Sequence, residues 1–413
     1  MSLAQPSAFP RTRGARPSPK PALAAVSPQH PPIDARMKAA ATVAASHADE
    51  VDAAARFPAE AIAALKDQRL MGIMVPEAFG GEGASVSEVA RVCYALGAAC
   101  SSSAMIFAMH QVKVACLVRH GQGNRWRDAM FGRLTEQQWL LASSTTEGGN
   151  GGNIRSSDAA VVRTEDGFTY SREGSVISYG EYADALVTTA RRAPDAASSD
   201  QVLLWLLAED YTMERRQGWE TLGMRGTCSR GFRVEAAGST DRILDVPYGK
   251  IHAQTMMPVA HLLWSSAWAG IAAASVERTR MFVRNAMQNS GGKLPPGAAH
   301  FTQARQSLGT LLSEIRAALR LYESVAADER AMASLDVQTT LNLLKVNVSE
   351  GAVRTVMSAM RACGLSGYRT DSDCSQGRLL RDALSAPIMI NNERILAGIG
   401  QTALMEPTPG LLA

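Results

Sequence analysis

A glycine-rich loop is the segment of this sequence best suited to hold a ligand. Residues 145–153 read Thr-Thr-Glu-Gly-Gly-Asn-Gly-Gly-Asn and follow an apolar run at 139–145 that predicts a β-strand. Glycine lets the backbone approach a flat ring or a pyrophosphate closely, and free N–H groups in such a turn can bind carbonyl or phosphate oxygens. The loop therefore favours a binding site at a strand end, with an ordinary Gly/Asn turn as the alternative.

The elements that must position this loop fall into three blocks. Apolar residues recur at helical spacing from 34 to 137, and Ser85 with Glu88 forms a capping box at one helix start. From 138 to 254 the pattern changes to short β-rich runs, and from 255 to 413 the helical period returns. We predict an α+β multidomain protein with an N-terminal helical domain, a middle antiparallel β-barrel or sandwich, and a C-terminal four-helix bundle.

The apolar patterns predict individual strands and helices and a disordered N-terminal tail. Predicted strands cover residues 139–145, 159–163, 168–178, 185–191, 202–208 and 231–236. Predicted helices of the last block cover residues 259–288, 301–327, 337–363 and 386–404. Residues 1–33 are rich in proline and carry only basic charges, which predicts a disordered tail.

Composition narrows the class of partner. With 42 Lys+Arg against 39 Asp+Glu, the charge of +3 does not indicate a nucleic-acid or anionic-membrane surface. The six cysteines have neither the spacing of metal ligands nor the density of a disulfide scaffold. No run reaches the roughly 18–20 consecutive apolar residues of a membrane helix. We therefore expect a cytoplasmic protein whose partners are small molecules or proteins.

Four motifs follow one another in a recognisable order. After the glycine-rich loop come Ser-Val-Ile-Ser at 175–178, Leu-Gly-Met-Arg-Gly-Thr at 222–227, and Arg-Ala-Cys-Gly-Leu-Ser-Gly-Tyr at 361–368 with a later Arg381-Asp382 pair. With the three-block layout, they resemble the acyl-CoA dehydrogenase family from residue 34 onward. The resemblance implies a flavoprotein oxidoreductase with FAD as cofactor, or FMN if it is a monooxygenase. It also implies a homo-oligomer, a dimer or tetramer, in which a neighbouring subunit contacts the adenosine diphosphate half of the cofactor.

The resemblance carries cofactor contacts onto eight positions of this sequence. They are Thr145, Thr146, Gly151, Gly152, Ser178, Arg284, Arg361 and Gly364. Some positions depart from the family pattern. Gly152 replaces a serine, Val176 replaces a tryptophan, and Arg361 replaces a glutamine, while Arg284 stands one residue from Asn285, where the family has its arginine.

The catalytic glutamate that the resemblance implies is missing. Counting from Arg381, the family position of this base is Ile390, and its alternative position on the first bundle helix is Ala260. Related monooxygenases use a histidine one residue before the glutamate, where this chain has Met389. None of these three side chains can accept a proton.

A displaced base is one way to keep dehydrogenation. Glu393 is the nearest acid and would share a helix face with Ile390, although a surface carboxylate paired with Arg394 is the simpler interpretation. We assign His110, His261 and Ile390 to the substrate pocket, while a lone histidine is more often a structural residue.

Three functions stay open at this stage. The first is α,β-dehydrogenation of an acyl thioester, on coenzyme A or a carrier protein, by an enzyme that acts on a CH–CH group and passes electrons to an electron-transfer flavoprotein. The second is a monooxygenase supplied with reduced flavin by a flavin reductase. The third is a non-catalytic flavoprotein.

Overall fold

The computed structural model of the chain describes residues 30–148 and 153–404. The tail predicted for residues 1–33 lies almost wholly outside the described residues, as do Gly151 and Gly152.

Five helices form the N-terminal domain. They are α1 (Ile33–Ala54), α2 (Ala59–Asp67), α3 (Val86–Ala99), α4 (Ser101–His120) and α5 (Arg125–Gln137). The predicted capping box begins α3, because Ser85 Oγ accepts from the Glu88 N–H at 3.2 Å and Glu88 Oε2 accepts from the Ser85 N–H at 2.8 Å. α4 is buried on nearly every side, which makes it the central helix of this domain.

Seven strands form the middle domain over its described residues, 138–148 and 153–254. They are β1 (Leu141–Ser144), β2 (Val161–Thr164), β3 (Gly167–Ile177), β4 (Ala185–Arg191), β5 (Gln201–Leu207), β6 (Tyr211–Gln217) and β7 (Arg230–Gly238). One sheet has the order β1-β4-β5 and the other the order β2-β3-β7-β6. The expected antiparallel pairing holds except between β1 and β4, which are parallel in the register Leu141↔Ala185. Parallel strands need a long crossover, and here the β2–β3 hairpin of the other sheet provides it.

The sequence patterns miss β6. This strand pairs antiparallel with β7 at the edge of its sheet, and most of its residues are exposed. Glu214, Arg215 and Arg216 follow one another in it, so no alternation of apolar and polar residues marks it as a strand. Charged side chains of this kind are common on edge strands, where they discourage pairing with other chains.

The C-terminal domain is helical. Its elements are α6 (Tyr248–Ile251), a π-helix (His252–Met256), α7 (Met257–Asn289), α8 (Ala298–Val325), α9 (Glu329–Met332), α10 (Leu335–Cys363), α11 (Leu365–Tyr368), α12 (Gly377–Ala383) and α13 (Asn392–Ala403). Helices α7, α8 and α10 pack against one another, α13 packs against α10, and α3 of the first domain packs against α7.

The helix predicted for residues 386–404 is shorter in the structure. It begins only at Asn392, because Ile390 adopts a left-handed conformation with φ +49° that ends any continuous helix before it. Residues 384–391 instead form a turn between α12 and α13.

Two helical segments have the length and composition of a membrane span, Ser101–His120 and Tyr248–Asn289. Their most apolar windows are 89% and 83% buried inside the protein, which is typical of core helices in a soluble protein.

Candidate active site

A cavity of about 1080 Å³ lies where the middle domain meets the helices of the other two domains. Its walls come from α4, the ends of β1 and β3, the π-helix, α7, α10 and the turn before α13. This volume is slightly above the range of roughly 300–1,000 Å³ that is typical of ligand pockets. The cavity is therefore large enough for a cofactor ring and a substrate together.

The wall from the middle domain carries three of the predicted cofactor residues. Thr145 and Thr146, just after β1, line the cavity together with Val176 and Ser178 at the end of β3. Thr146 Oγ1 lies 3.4 Å from the Val176 carbonyl oxygen, to which it can donate, so Thr146 is held against β3. The Ser178 hydroxyl is 2.7 Å from the Ser229 hydroxyl, and either can be the donor.

The third and fourth sequence motifs contact each other beside the cavity. A Cβ added at Gly223 would lie 2.1 Å from the Arg381 carbonyl oxygen, so only glycine fits there. The Met224 N–H donates to Asp382 Oδ1 at 2.7 Å, and Arg381 donates to the Leu222 carbonyl at 2.9 Å. Asp382 is buried, and burial raises the pKa of its carboxyl group. The Arg-Asp pair therefore joins the bundle to the middle domain.

The three positions where the family resemblance implies a catalytic side chain all line this cavity. They are Ile390, Ala260 and Met389. The structure thus brings to one wall the residues that counting along the sequence had placed separately. None of them carries a group that titrates.

Ile390 is held in its left-handed conformation by Lys345 of α10. The Lys345 ammonium is fully buried and donates to the carbonyl oxygens of Ala386, at 3.1 Å, and Ile390, at 2.7 Å. It also donates to Asn392 Oδ1 at 2.7 Å. A β-branched residue is strained at positive φ and persists there only where its surroundings fix it. Lys345 therefore acts as the anchor of the turn that carries Ile390.

Glu393 does not take the place of the missing base in this arrangement. It is exposed at the start of α13 and does not line the cavity, whereas its neighbour Arg394 does. The expectation that Glu393 shares a helix face with Ile390 fails because Ile390 lies outside the helix.

No carboxylate side chain lines the cavity within residues 30–148 and 153–404. The residues beyond that part of the chain add a single candidate, since Glu406 is their only acidic residue. The charged and titratable side chains that do line it are Lys113, Arg155, His252, His261, Arg381 and Arg394. The described wall is therefore basic, with apolar side chains between the basic groups.

His261 lines the cavity as a neutral imidazole. Its Nδ1 lies 3.1 Å from the Leu341 carbonyl oxygen, to which Nδ1–H donates, and burial lowers its pKa to about 3. Nε2 is then the nitrogen without the proton. Sequence reasoning had assigned His261 to the substrate pocket, and the structure places it in the cavity wall.

His110 does not line the cavity. Its Nε2 is 2.8 Å from the Met71 carbonyl oxygen, and its Nδ1 is 3.0 Å from the Leu141 N–H. Both ring nitrogens are therefore used by the backbone, and burial lowers the pKa of the ring to about 4. His110 fixes the start of β1 against the first domain and is not a pocket residue in this structure.

Three further described residues that were predicted to contact the cofactor lie away from the cavity. Arg284 on α7, Arg361 on α10 and Gly364 just after α10 are exposed. Gly364 has φ +56° and ψ −136°, which residues other than glycine rarely adopt. These exposed positions leave room for the contact with a neighbouring subunit that the resemblance implies, and that contact stays a prediction.

Sequence reasoning missed three residues of this region, Lys113, His252 and Lys345. Lys113 had a readable signal, because it is the one charged residue of the apolar run 112–118, whereas Lys345 stands among polar residues of its predicted helix. A lysine in such a stretch is either buried with partners or functional. His252 had no comparable signal.

Sequence models of known families match the two helical domains. Residues 33–126 match the acyl-CoA dehydrogenase N-terminal domain, and residues 249–405 match the acyl-CoA dehydrogenase C-terminal domain. The chain belongs to the acyl-CoA dehydrogenase family. This family consists of flavoprotein oxidoreductases that bind FAD.

Relatives within the acyl-CoA dehydrogenase family perform different reactions. Cyclohex-1-ene-1-carbonyl-CoA dehydrogenase of Syntrophus aciditrophicus is 23% identical over 372 residues, which cover 88% of this chain and 86% of the relative. Isobutylamine N-hydroxylase of Streptomyces viridifaciens is 24% identical over 292 residues, which cover 68% of this chain and 75% of the relative. The FMN-bound structure of TdsC, a dibenzothiophene monooxygenase from Paenibacillus sp. A11-2, superimposes with a TM-score of 0.78 at 17% identity. The match covers 92% of this chain and 99% of TdsC, and it shows a shared fold.

The residues of the cavity fit a flavin ring. Hydroxyl groups of Thr145, Thr146 and Ser178 supply polar contacts along one wall. Trp264 lines the cavity, and its indole N–H is buried without a hydrogen-bond partner among the described atoms. A buried donor of this kind is costly unless a ligand satisfies it. The site therefore offers both the volume and the unsatisfied polar group that a flat polar ligand requires.

Proposed function

We propose that this protein is a flavin-dependent monooxygenase that receives reduced flavin from a separate flavin reductase. The observation that carries the proposal is the described part of the cavity wall, which contains no carboxylate and has Ile390 and Ala260 at the two family positions of the dehydrogenase base.

A missing carboxylate matters differently for the two reactions. Dehydrogenation of an acyl thioester begins with removal of a proton from carbon, which requires a positioned base of suitable pKa. His261 is a weak base here, because burial lowers its pKa to about 3. Transfer of an oxygen atom to a substrate does not begin with removal of a proton from carbon. The loss of the base at both of its positions therefore favours oxygenation, in a site where Met389 replaces the histidine of related monooxygenases.

The proposed reaction consumes O₂ and a reduced flavin. One atom of O₂ enters the substrate, and the other leaves as water with two protons and two electrons. A bound reduced flavin would supply those two electrons. Thr145, Thr146 and Ser178 would hold the ring, and the Trp264 indole N–H would donate to a polar group of the bound molecule.

The chain's own residues would keep the reacting region dry. Ile390 and Ala260 present apolar groups at the two positions where the family resemblance implies a dehydrogenase's carboxylate, and Met389 is apolar where it implies a monooxygenase's histidine. Exclusion of water protects reactive species from side reactions. Lys345 would contribute indirectly, since its hydrogen bonds hold the turn that places Ile390 and Met389 in the wall.

Dehydrogenation of an acyl thioester is the second candidate. It is favoured by the dehydrogenase relative that covers 88% of this chain. In that case the base would have to come from a group other than Ile390, Ala260 or Met389. The substrate itself could supply that group, and the electron-transfer flavoprotein expected as partner would accept the electrons.

The experiment combines isotope labelling with a defined electron supply. The purified protein is mixed with FMN or FAD, a flavin reductase and NADH under ¹⁸O₂, with a panel of sulfides, amines and aromatic compounds. We expect one ¹⁸O atom in the product, dependent on both reductase and O₂. Product formation without O₂ would contradict the proposal, and Glu393→Gln should leave the rate unchanged because Glu393 lies outside the cavity.

A further inference from the structure

Lys113 is a buried cation in the cavity wall that lacks an anionic partner. It lies in α4, is 3% exposed, and lines the cavity. Within residues 30–148 and 153–404 its ammonium group hydrogen-bonds only to the sulfur of Met256, at 3.1 Å. A thioether is a weak acceptor, whereas an ammonium group carries three N–H donors. Most of the hydrogen-bonding capacity of this cation is therefore left for a molecule in the cavity.

Most of the residues that line the cavity beside Lys113 on its own and the neighbouring helical segment are apolar. Met105, Met109 and Val112 line the same part of α4, and Met256 and Met257 line the cavity from the neighbouring helical segment. Methionine side chains adapt to apolar bodies of different shape. A ligand that fits this region would combine an apolar body with a single charged group.

The sign of that charge follows from the cavity wall. The side chains that carry a permanent positive charge there are Arg155, Arg381 and Arg394, and none of the described lining residues is acidic. Arg381 is already paired with Asp52, so its charge is partly compensated. Lys113 has no such pair among the described residues, and burying an unpaired charge is costly. An anion bound at Lys113 would remove this cost.

We propose that Lys113 binds the anionic head of the substrate, and that the substrate is an organic carboxylate with an apolar body. This inference rests on the proposed function, because it names the substrate class for the same cavity. Lys113 acts as a specificity residue that contacts the substrate, and the electrons and oxygen come from elsewhere. The other anion that could occupy this position is a phosphate of the flavin, and the test below distinguishes the two.

The protonation of Lys113 gives a second signature. Burial lowers the pKa of Lys113 to about 8, with opposing contributions from Cys116 on the same helix and Arg172 of β3. His252 also faces this region from the π-helix. Burial holds the pKa of Cys116 at about 12 and that of His252 at about 4, so neither titrates near pH 8. A bound carboxylate raises the pKa of Lys113. The affinity of the protein for the carboxylate is therefore constant below about pH 8 and falls by up to tenfold per pH unit above it.

The test measures binding, without turnover. Aryl and alkyl carboxylates of increasing size, each paired with its primary amide, are titrated against the oxidised flavin-loaded protein. The intrinsic tryptophan fluorescence is followed, to which Trp219 and Trp264 of the cavity wall contribute. We expect carboxylates to bind more tightly than their amides, and Lys113→Met to reduce this preference by roughly tenfold to a hundredfold. Lys113→Arg should retain the preference and lose the pH dependence. Lys38→Met removes an exposed lysine of α1 and should behave as the wild type.

Two results would overturn this inference. One is a carboxylate preference that is absent in the wild type or unchanged in Lys113→Met. The other is a loss of flavin affinity in Lys113→Met with the carboxylate preference intact, which would assign the lysine to the cofactor. Neither result depends on oxygenation, so failure of the proposed function remains distinguishable from failure of this inference. Thermal unfolding of each variant checks that the fold is kept.

Discussion

The wall of the cavity built by the middle domain and the wall built by the C-terminal helices retain different parts of the family's chemistry. The middle domain presents Thr145, Thr146 and Ser178, the residue types that the family resemblance implies for flavin. The helices keep the position of the base but fill it with Ile390. Binding of a cofactor and the reaction done with it can therefore change separately, because they depend on different walls.

Lys345 offers the strongest way to disturb the helical wall alone. Replacing it with methionine leaves the Ala386 carbonyl, the Ile390 carbonyl and Asn392 Oδ1 without their shared donor. Because unsatisfied buried polar groups cost about 1–3 kcal/mol each, we expect the free energy of unfolding to fall by about 3 kcal/mol or more. Denaturant unfolding measures this change, and Lys38→Met serves as the exposed control. A change under about 0.5 kcal/mol, typical of surface substitutions, would mean that the turn does not need its anchor.

Substitutions in the middle-domain wall should change flavin affinity. Thr146→Val combined with Ser178→Ala removes two hydroxyl groups without changing the fold of β3, and we expect flavin affinity to fall about tenfold. Fluorescence titration with FMN and FAD measures the affinity. Thr164→Val removes an exposed hydroxyl of β2 outside the cavity and should leave it unchanged. Equal affinities for all three proteins would remove these hydroxyls from the flavin site.

The change of stability with pH should also differ between variants of the C-terminal wall and variants of the middle-domain wall. Burial lowers the pKa of Lys345 to about 7, below the value of 10.5 of an unperturbed lysine. Between these values the unfolded chain binds the proton and the folded chain does not, so stability rises with pH across this window. Lys345→Met should lose that rise, whereas the double variant of the middle domain should keep it. Unfolding free energies measured at several pH values give the comparison, and a wild-type curve parallel to that of Lys345→Met would contradict it.

The smallest expected effect concerns the strain at Ile390. Asparagine tolerates the left-handed conformation better than a β-branched residue, so Ile390→Asn should relieve strain of about 1 kcal/mol. Ile390 is partly buried, and the loss of its apolar contacts offsets part of this gain. We expect a net change within about 1 kcal/mol in the free energy of unfolding. Ile390→Val keeps the β-branch and the strain, so it is the matched control, and a larger loss in Asn than in Val would argue against strain.

The sequence predicts the parts of this fold that local patterns determine. The capping box of Ser85 and Glu88 is present, and β4 covers residues 185–191 as predicted. The strand β6 is missed because an exposed edge strand with three consecutive charges has no apolar alternation. The break at Ile390 is missed because it depends on Lys345, which is distant in the sequence.

The residues of the candidate site also fall into those that local motifs predict and those that depend on distant segments. Motif positions found by resemblance, such as Thr146 and Ser178, lie in the cavity because they directly follow strands β1 and β3, whose ends are fixed by the sheets. The sequence placed His110 in the substrate pocket, whereas in the structure its ring binds the backbone of Met71 and Leu141. These partners come from distant segments of the chain, so no local pattern predicts them. Lys113 has a local signal in its apolar helix, yet only the structure shows that it meets the cavity.

The most direct test of the missing base is anaerobic mixing of the oxidised flavin-loaded protein with a panel of acyl-CoA thioesters while the flavin spectrum is recorded. The account predicts no bleaching with any thioester, since neither Ile390, Ala260 nor Met389 can remove the α-proton. Rapid bleaching by one of the thioesters would contradict it and would identify the protein as a dehydrogenase with a displaced base.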